Sequence, residues 1–333
     1  MALFLGPSHL ERLHVEGRVG IDDYIGAVEA AFAEHGRGAV GVMRRTVLPA
    51  DPAASSTRTR SLKVSASYLR SSGLMGVSMY SAHFRPGEID MLLPLFGGAD
   101  GRLLGLLNAK AISIWKTAAT AAVATRHLAR RDASHLALIG TGRYASAQLL
   151  GVCAVRRVRT IACFSRDRAK LAAFVARAAE RLPGIHVSAA DSIESATREA
   201  DLITTITISK SPVLQGGWIA RGTHCNIMGA HDANEREVDT EAVRRSRVLV
   251  DAREQAFNEK GELLIPMAAS ELTASHVVGE LGEVVAGRIT GRRNDDEITM
   301  FLSGGTALEY ARICEMLIAK AREAGIGQAL QVD

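Results

Sequence analysis

The sequence predicts an α/β protein in which a doubly wound domain is inserted into an α+β domain. Three observations carry this. Between Val42 and about Leu107, short strand-like runs follow one another across turn clusters; after Ser134, strands alternate with helical stretches; and a long amphipathic helix, "TALEYARICEMLIAKAREAG", closes the chain at Gly325. The expected division is 1–116 with 306–333 as one domain and 117–305 as the other.

From Pro7 to Gly36 the texture is helical, and "IDDYIGAVEAAFAEHG" places apolar residues three and four apart with a glycine as its stop. The next runs, "RTVLPA", "RSLKVSASYL", "GLMGVSMYSAHF", "DMLLPLF" and "RLLGLLNA", are separated by "RPGE" and "GGADG", which predicts a mostly antiparallel sheet. An alanine-rich helix follows in "SIWKTAATAAVATRHLARRD". Then come "HLALIG", "TIACFS", "IHVSAA", "DLITTITI", "THCNIMGA" and "RVLVDA", with helical stretches between most of them, and one further strand near Glu297, "ITMFLSGG". Alternation of this kind calls for parallel strands joined by right-handed crossovers.

Composition narrows the function classes. The chain has 333 residues, 47% hydrophobic and 23% charged, and its net charge of +4 arises from 40 basic and 36 acidic residues without a long basic block. Nothing there suits a nucleic-acid partner. "MALFLGPSH" lacks a basic leader and a cleavage site, and no run of 18 apolar residues occurs, so a cytoplasmic protein without a membrane partner is expected. Cys153, Cys163, Cys225 and Cys314 lie far apart without CxxC spacing, and the ten histidines show no HExxH pair. They read as reduced core thiols and no metal site.

The first strand of the alternating region runs straight into a glycine turn, "HLALIGTGRYASAQLL". Gly140 permits the tight turn, Gly142 lets a pyrophosphate approach the backbone, and Ala145 allows the following helix to pack closely on the sheet. Free N–H groups at the helix start complete an anion site. This is the Rossmann-type signature for NAD or NADP. About 20 residues on, where a carboxylate commonly holds the ribose hydroxyls, the chain reads Ser165–Arg166. A hydroxyl and a guanidinium suit a 2′-phosphate, so NADP(H) is the expected preference; Asp167 keeps NAD(H) open, and Arg166 as a solvated helix-start residue is the bland alternative.

Together "RRTVL", "SLKVSASY", "WKTAATAAVATRHLA", "LALIGTGRYASAQL", "ADLITTITISKSPVL", "ARGTHCNIMGAHDANEREVD", "KGELLIP" and "EITMFLSGG", in this order, resemble the ornithine cyclodeaminase and μ-crystallin family. The resemblance implies a homodimer whose N-terminal domain and C-terminal helix bind a small amino or imino acid, with NAD(P) on the middle domain. It implies hydride exchange at the α-carbon. By position, Lys63 is similar to the family's active-site lysine, and Arg45, with Arg44 one residue away, resembles the carboxylate-binding arginine. Arg143, Tyr144, Thr207, Met228, Gly229, Ala230 and Ser303 match cofactor positions. Thr207 and Ser303 also read as ordinary strand-end hydroxyls.

Departures from that pattern bear on the reaction. Lys116 stands where relatives often carry a second carboxylate-binding arginine, keeping charge without the planar fork. His231 occupies the position of an aspartate, with Asp232 one residue later; a histidine can move protons near neutrality but offers no fixed negative charge for a substrate's terminal ammonium, which disfavours a diamine. Arg58 and Arg60, at alternate positions, either bind a second acidic group of the substrate or are solvated. Leu302, Gly304 and Tyr310 also differ from many relatives. The leading expectation is an NAD(P)-dependent imino acid reductase or amino acid dehydrogenase in which Lys63, His231 and Asp232 serve catalysis. A lyase or synthase using the cofactor catalytically, and a crystallin-like NADPH binder with little catalysis, are the alternatives.

Overall fold

A computed structural model describes all residues except 52, 54–58, 86, 87, 109, 332 and 333. Arg58 therefore lies outside the described residues. The chain divides into two compact units, 1–120 with 305–333, and 121–304.

The first unit opens with a strand not foreseen from the sequence, β1 (Ala2–Leu5), followed by α1 (Pro7–Val15) and α2 (Ile21–Gly36). Gly20, with its N–H bonded to Asp23, separates the two helices that the sequence runs together. The strands β2 (Val40–Pro49), β3 (Ser61–Leu69), β4 (Leu74–Arg85), β5 (Glu88–Gly97) and β6 (Leu103–Asn108) form a continuous antiparallel meander. β1 joins β6 in parallel, so the sheet is antiparallel apart from that pair. Along β3 the residues Ser61, Lys63, Ser65, Ser67 and Leu69 are buried while Leu62 and Tyr68 are exposed, the period-two pattern of a strand with one covered face. In β2 the register shifts between Met43 and Thr46, whose partners are Ala66 and Val64, leaving Arg44 and Arg45 opposite the single Ser65. A bulge of this kind re-aims a side chain. The helix α3 (Ile112–Leu128) then crosses from this unit into the next.

The second unit alternates β7 (His135–Ile139), α4 (Ala145–Val155), β8 (Thr160–Phe164), α5 (Arg168–Arg181), β9 (His186–Ala189), α6 (Ile193–Thr197), β10 (Leu202–Thr205), β11 (His224–Ile227), α7 (Thr240–Arg244), β12 (Ser246–Val250), α8 (Arg253–Glu259), α9 (Gly261–Ala268), β13 (Val277–Glu280), α10 (Leu281–Val285) and β14 (Ile298–Leu302). These eight strands are parallel in the order β13-β12-β14-β11-β10-β7-β8-β9. Alternate residues feed two cores. Leu136, Leu138 and Ile161 pack with Ala145, Leu149 and Val152 on one side, whereas Ile139, Ile203, Ile227, Val250 and Leu302 enter the other. The strand order reverses at β7, where a doubly wound sheet opens a crevice at its carboxyl edge.

The chain then returns to the first unit with α11 (Leu308–Ala324), ended by Gly325 in the left-handed conformation, and β15 (Gln328–Leu330), which pairs with β1. Arg312 of α11 is tied to the fully buried Glu34 of α2, which also takes the backbone N–H groups of Ser71 and Ser72. The first unit's seven-stranded sheet thus joins β1 and β15, the first and last strands among the described residues. Among the described residues no helix is long and apolar enough to cross a membrane.

Candidate active site

In the first unit, two cationic side chains, Arg45 and Lys116, gather around Gly305. The bulged Arg45 donates from Nη2 to the Gly305 carbonyl at 2.9 Å. Arg44 beside it is exposed. A Cβ built on Gly305 would lie 3.4 Å from the Lys116 Nζ and 3.5 Å from the Arg45 Nη2, and Gly305 itself adopts φ +74°. Two cations thus converge on one side-chain-free position, a cradle whose charge complements a carboxylate. Lys63 is buried, faces the same side of β3 as Ser67, whose hydroxyl donates to the Ala307 carbonyl, and lies 6.0 Å from the centre of the Tyr80 ring. Arg60 precedes β3 and is exposed.

Lys116 is not a solitary charge. Its Nζ lies 2.8 Å from Glu309 Oε1, and both side chains are buried. Glu309 also accepts from Thr306 and Thr120 hydroxyls, so its carboxylate is fully engaged. An ammonium has three donors, and the pair leaves Lys116 with capacity for a further acceptor. Tyr310 lies beneath it, its ring centre 5.3 Å from Nζ. Glu309 is absent from the sequence expectations because a lone acid in an amphipathic helix looks like a solvated residue; its zero exposure sets it apart.

In the second unit, the turn after β7 fits a dinucleotide. Gly140 has φ +106°, and a Cβ there would meet the Ile206 carbonyl oxygen at 2.7 Å; at Gly142 a Cβ would meet nothing within 4 Å. The first glycine is thus required by the fold, and the second leaves open space before the N-terminus of α4. Ala145 is fully buried against the sheet. Arg143 is exposed and bonded to the Tyr144 hydroxyl. Beside this turn lies a concavity of about 550 Å³ lined by Thr141, Gly142, Ser165, Arg166, Asp167 and Lys170. Both Asp167 oxygens are occupied: Oδ1 caps α5 by accepting from the Lys170 N–H, and Oδ2 pairs with the Lys170 ammonium at 3.1 Å. These bonds hold its carboxyl below the usual range. Asp167 thus stands ionised beside Ser165 and Arg166, its charge paired with Lys170.

The other expected cofactor residues lie at the carboxyl ends of neighbouring strands. Thr207 follows β10, Met228 to Ala230 follow β11, and Ser303 follows β14. Thr207 and Gly229 share a partner that the sequence did not reveal, the fully buried Glu237, and Ser303 bonds to Asp251 at 3.3 Å. Burial raises the Glu237 pKa, opposed by the Thr207 bonds. His231 is exposed, whereas Asp232 is buried and accepts the Asn234 N–H at 3.0 Å. Among the described residues no group of three or more His, Cys, Asp or Glu is placed to hold a metal.

The sequence profile of the ornithine cyclodeaminase/mu-crystallin family matches residues 8–325. The Delta(1)-pyrroline-2-carboxylate reductase of Colwellia psychrerythraea is 33% identical over 226 residues, 68% of this chain and 71% of the relative. The structure of the Thermococcus litoralis Delta(1)-pyrroline-2-carboxylate reductase, in complex with NADH and L-proline, superposes with a TM-score of 0.89 at 32% identity, covering 98% of this chain and 100% of that one. A dimeric archaeal alanine dehydrogenase with bound NAD gives 0.90 at 26% identity, covering 100% and 99%.

Proposed function

The chain belongs to the ornithine cyclodeaminase/mu-crystallin family and is an NAD(P)-dependent imino acid oxidoreductase, and from that premise we propose that it reduces a small cyclic α-imino acid of the Δ1-pyrroline-2-carboxylate kind to the corresponding cyclic amino acid. The observation that carries this reading is the convergence of Arg45 Nη2 and Lys116 Nζ on Gly305, a place for one carboxylate. The exposed imidazole of His231, in place of a fixed carboxylate, argues against a second ammonium on the substrate.

Arg45 and Lys116 hold the carboxylate and so orient the C=N bond. Bound reduced nicotinamide supplies the hydride that the α-carbon accepts. Lys63, buried on the covered face of β3, delivers a proton to the ring nitrogen. His231 returns protons from solvent, while Asp232, buried and bonded to the Asn234 N–H, fixes the loop behind it. Arg60, exposed, plays no part in this scheme.

Gly140, Gly142, Arg143, Tyr144 and Ala145 form the pyrophosphate turn, and Ser165 with Arg166 selects NADPH over NADH, since Asp167 is committed to capping α5. The working form is a cytoplasmic homodimer, to be checked by light scattering on a sizing column.

The test is a nicotinamide absorbance assay with Δ1-pyrroline-2-carboxylate and either cofactor. Loss of NADPH matched by formation of proline is expected. Proline or another product without net NADPH loss would replace this reading with a lyase or synthase; NADPH binding without turnover on any cyclic imino acid would leave a cofactor-binding protein. In Lys63→Ala, turnover should vanish while NADPH affinity stays as in the parent.

A further inference from the structure

Among the ionisable side chains of the second unit with zero exposure, Glu237, Lys260 and Glu262 form a linked group. Burying charges is costly, and an apolar cluster of the same volume commonly serves stability as well or better. Their partners show what they do instead. Glu237 Oε1 accepts from the Thr207 N–H and hydroxyl, both at 2.7 Å, and its Oε2 accepts from the Gly229 N–H at 2.6 Å and the Thr205 hydroxyl at 2.9 Å. Lys260 Nζ donates to the carbonyls of Ala230 at 2.7 Å and Ser303 at 3.3 Å. Glu262 lies 3.5 Å from the Lys260 ammonium and takes the Glu237 backbone N–H at 3.1 Å.

Apart from the Thr205 hydroxyl, every strand-side partner of Glu237 and Lys260 lies one to three residues beyond the end of β10, β11 or β14, where the ladder makes its last bonds, from the Met228 N–H to the Thr205 carbonyl and from the Ser303 N–H to the Ile227 carbonyl. An apolar plug could not satisfy the N–H and C=O groups of these partners. Gly229 sits so close above Glu237 that a Cβ would fall 2.6 Å from Oε1. One carboxylate thus joins the exits of β10 and β11, and one ammonium joins those of β11 and β14.

We propose that Glu237 and Lys260 are positioning residues for hydride transfer: they lock three adjacent strand exits into one platform beneath the nicotinamide, with Glu262 balancing the lysine. This rests on the assignment of Thr207, Gly229, Ala230 and Ser303 to the nicotinamide end of the cofactor site. Misplacement of reacting groups by about 1 Å lowers rates by roughly a hundredfold, which sets the effect to look for.

The experiment compares the parent with Glu237→Gln and with the charge-balanced Lys260→Met/Glu262→Gln, so that a folding failure in one leaves the other to decide. Expected for a folded variant are an NADPH dissociation constant within about threefold of the parent, kcat lower by roughly 10- to 100-fold, and a larger isotope effect with 4-deuterated NADPH. In the binary complex the bound-nicotinamide fluorescence lifetime should become shorter and heterogeneous. A merely structural role would lower the melting temperature and leave lifetime, isotope effect and kcat per folded molecule unchanged, and that result overturns the proposal. The lifetime is read without substrate, so a wrong imino acid in the assay leaves this outcome intact.

Discussion

The ammonium of Lys116 lies 2.8 Å from the carboxylate of Glu309, with side-chain exposures of 5% and 0%. The pair keeps the space beside Gly305 from being bordered by two uncompensated cations. Removing one partner of a buried pair costs on the order of 3–5 kcal/mol, because the survivor is left charged and unsolvated. Glu309→Gln should therefore lower the melting temperature by several degrees, and proline should raise it more in the variant than in the parent, the ligand's carboxylate replacing the lost charge. Scanning calorimetry with and without proline reads both effects; equal proline shifts in the two proteins would separate Lys116 from carboxylate binding.

Gly305 is held at φ +74° with the Arg45 and Lys116 cations bordering its missing side chain. In Gly305→Ala the methyl occupies the cradle and the left-handed backbone adds about 1–2 kcal/mol of strain. The expected outcome is a KM for the imino acid raised by roughly tenfold or more, with NADPH affinity unchanged. An unaltered KM would mean that the substrate carboxylate binds elsewhere.

The two glycines of the β7–α4 turn should respond differently. Gly140→Ala drives a Cβ to 2.7 Å from the Ile206 carbonyl and should destabilise the protein by several degrees even without cofactor. Gly142→Ala meets nothing in the protein, so its melting temperature should stay near the parent's while NADPH affinity drops. Thermal melts beside fluorescence titrations distinguish the two, and a Gly142→Ala that binds NADPH normally would argue against pyrophosphate at this turn.

Acid stability should depend on His224. Burial in the second unit pushes its pKa down to about 3, and its ring bonds to Thr299 and Asn226. The unfolded chain takes up the proton near pH 6.5 and the folded one only near 3, so stability falls as pH drops through that window and is unaffected above it. His224→Gln, which keeps hydrogen-bonding groups without a titrating ring, should shift the acid unfolding midpoint to lower pH in a circular dichroism titration. An unmoved midpoint would assign acid unfolding to other groups.

The fold was readable where periodicity is strong. The meander from Val40 to Asn108 and the alternation after Ser134 both announce themselves through strand-length apolar runs and turn clusters. β1, β13 and β15 were not, since runs of three or four residues, at a sheet edge or next to one, carry too little pattern. Of the site, the glycine turn and the Ser165–Arg166 tip follow from local chemistry, and Lys63 and Arg45 needed the family's ordered segments. The bulge that leaves Arg44 exposed and brings Arg45 to the Gly305 carbonyl has no sequence signature. Glu309, Glu237 and Lys260 escaped because their importance lies in being charged and buried together, and burial is a property of the folded chain.

Asp167 does two jobs that a protein engineer would wish to keep apart. Recruiting it to the ribose hydroxyls to favour the unphosphorylated coenzyme would release the first turn of α5 from its cap and set Lys170 loose. A switch of coenzyme in this scaffold has therefore to be built at Ser165, two residues earlier and just past the end of β8, with the helix start left untouched.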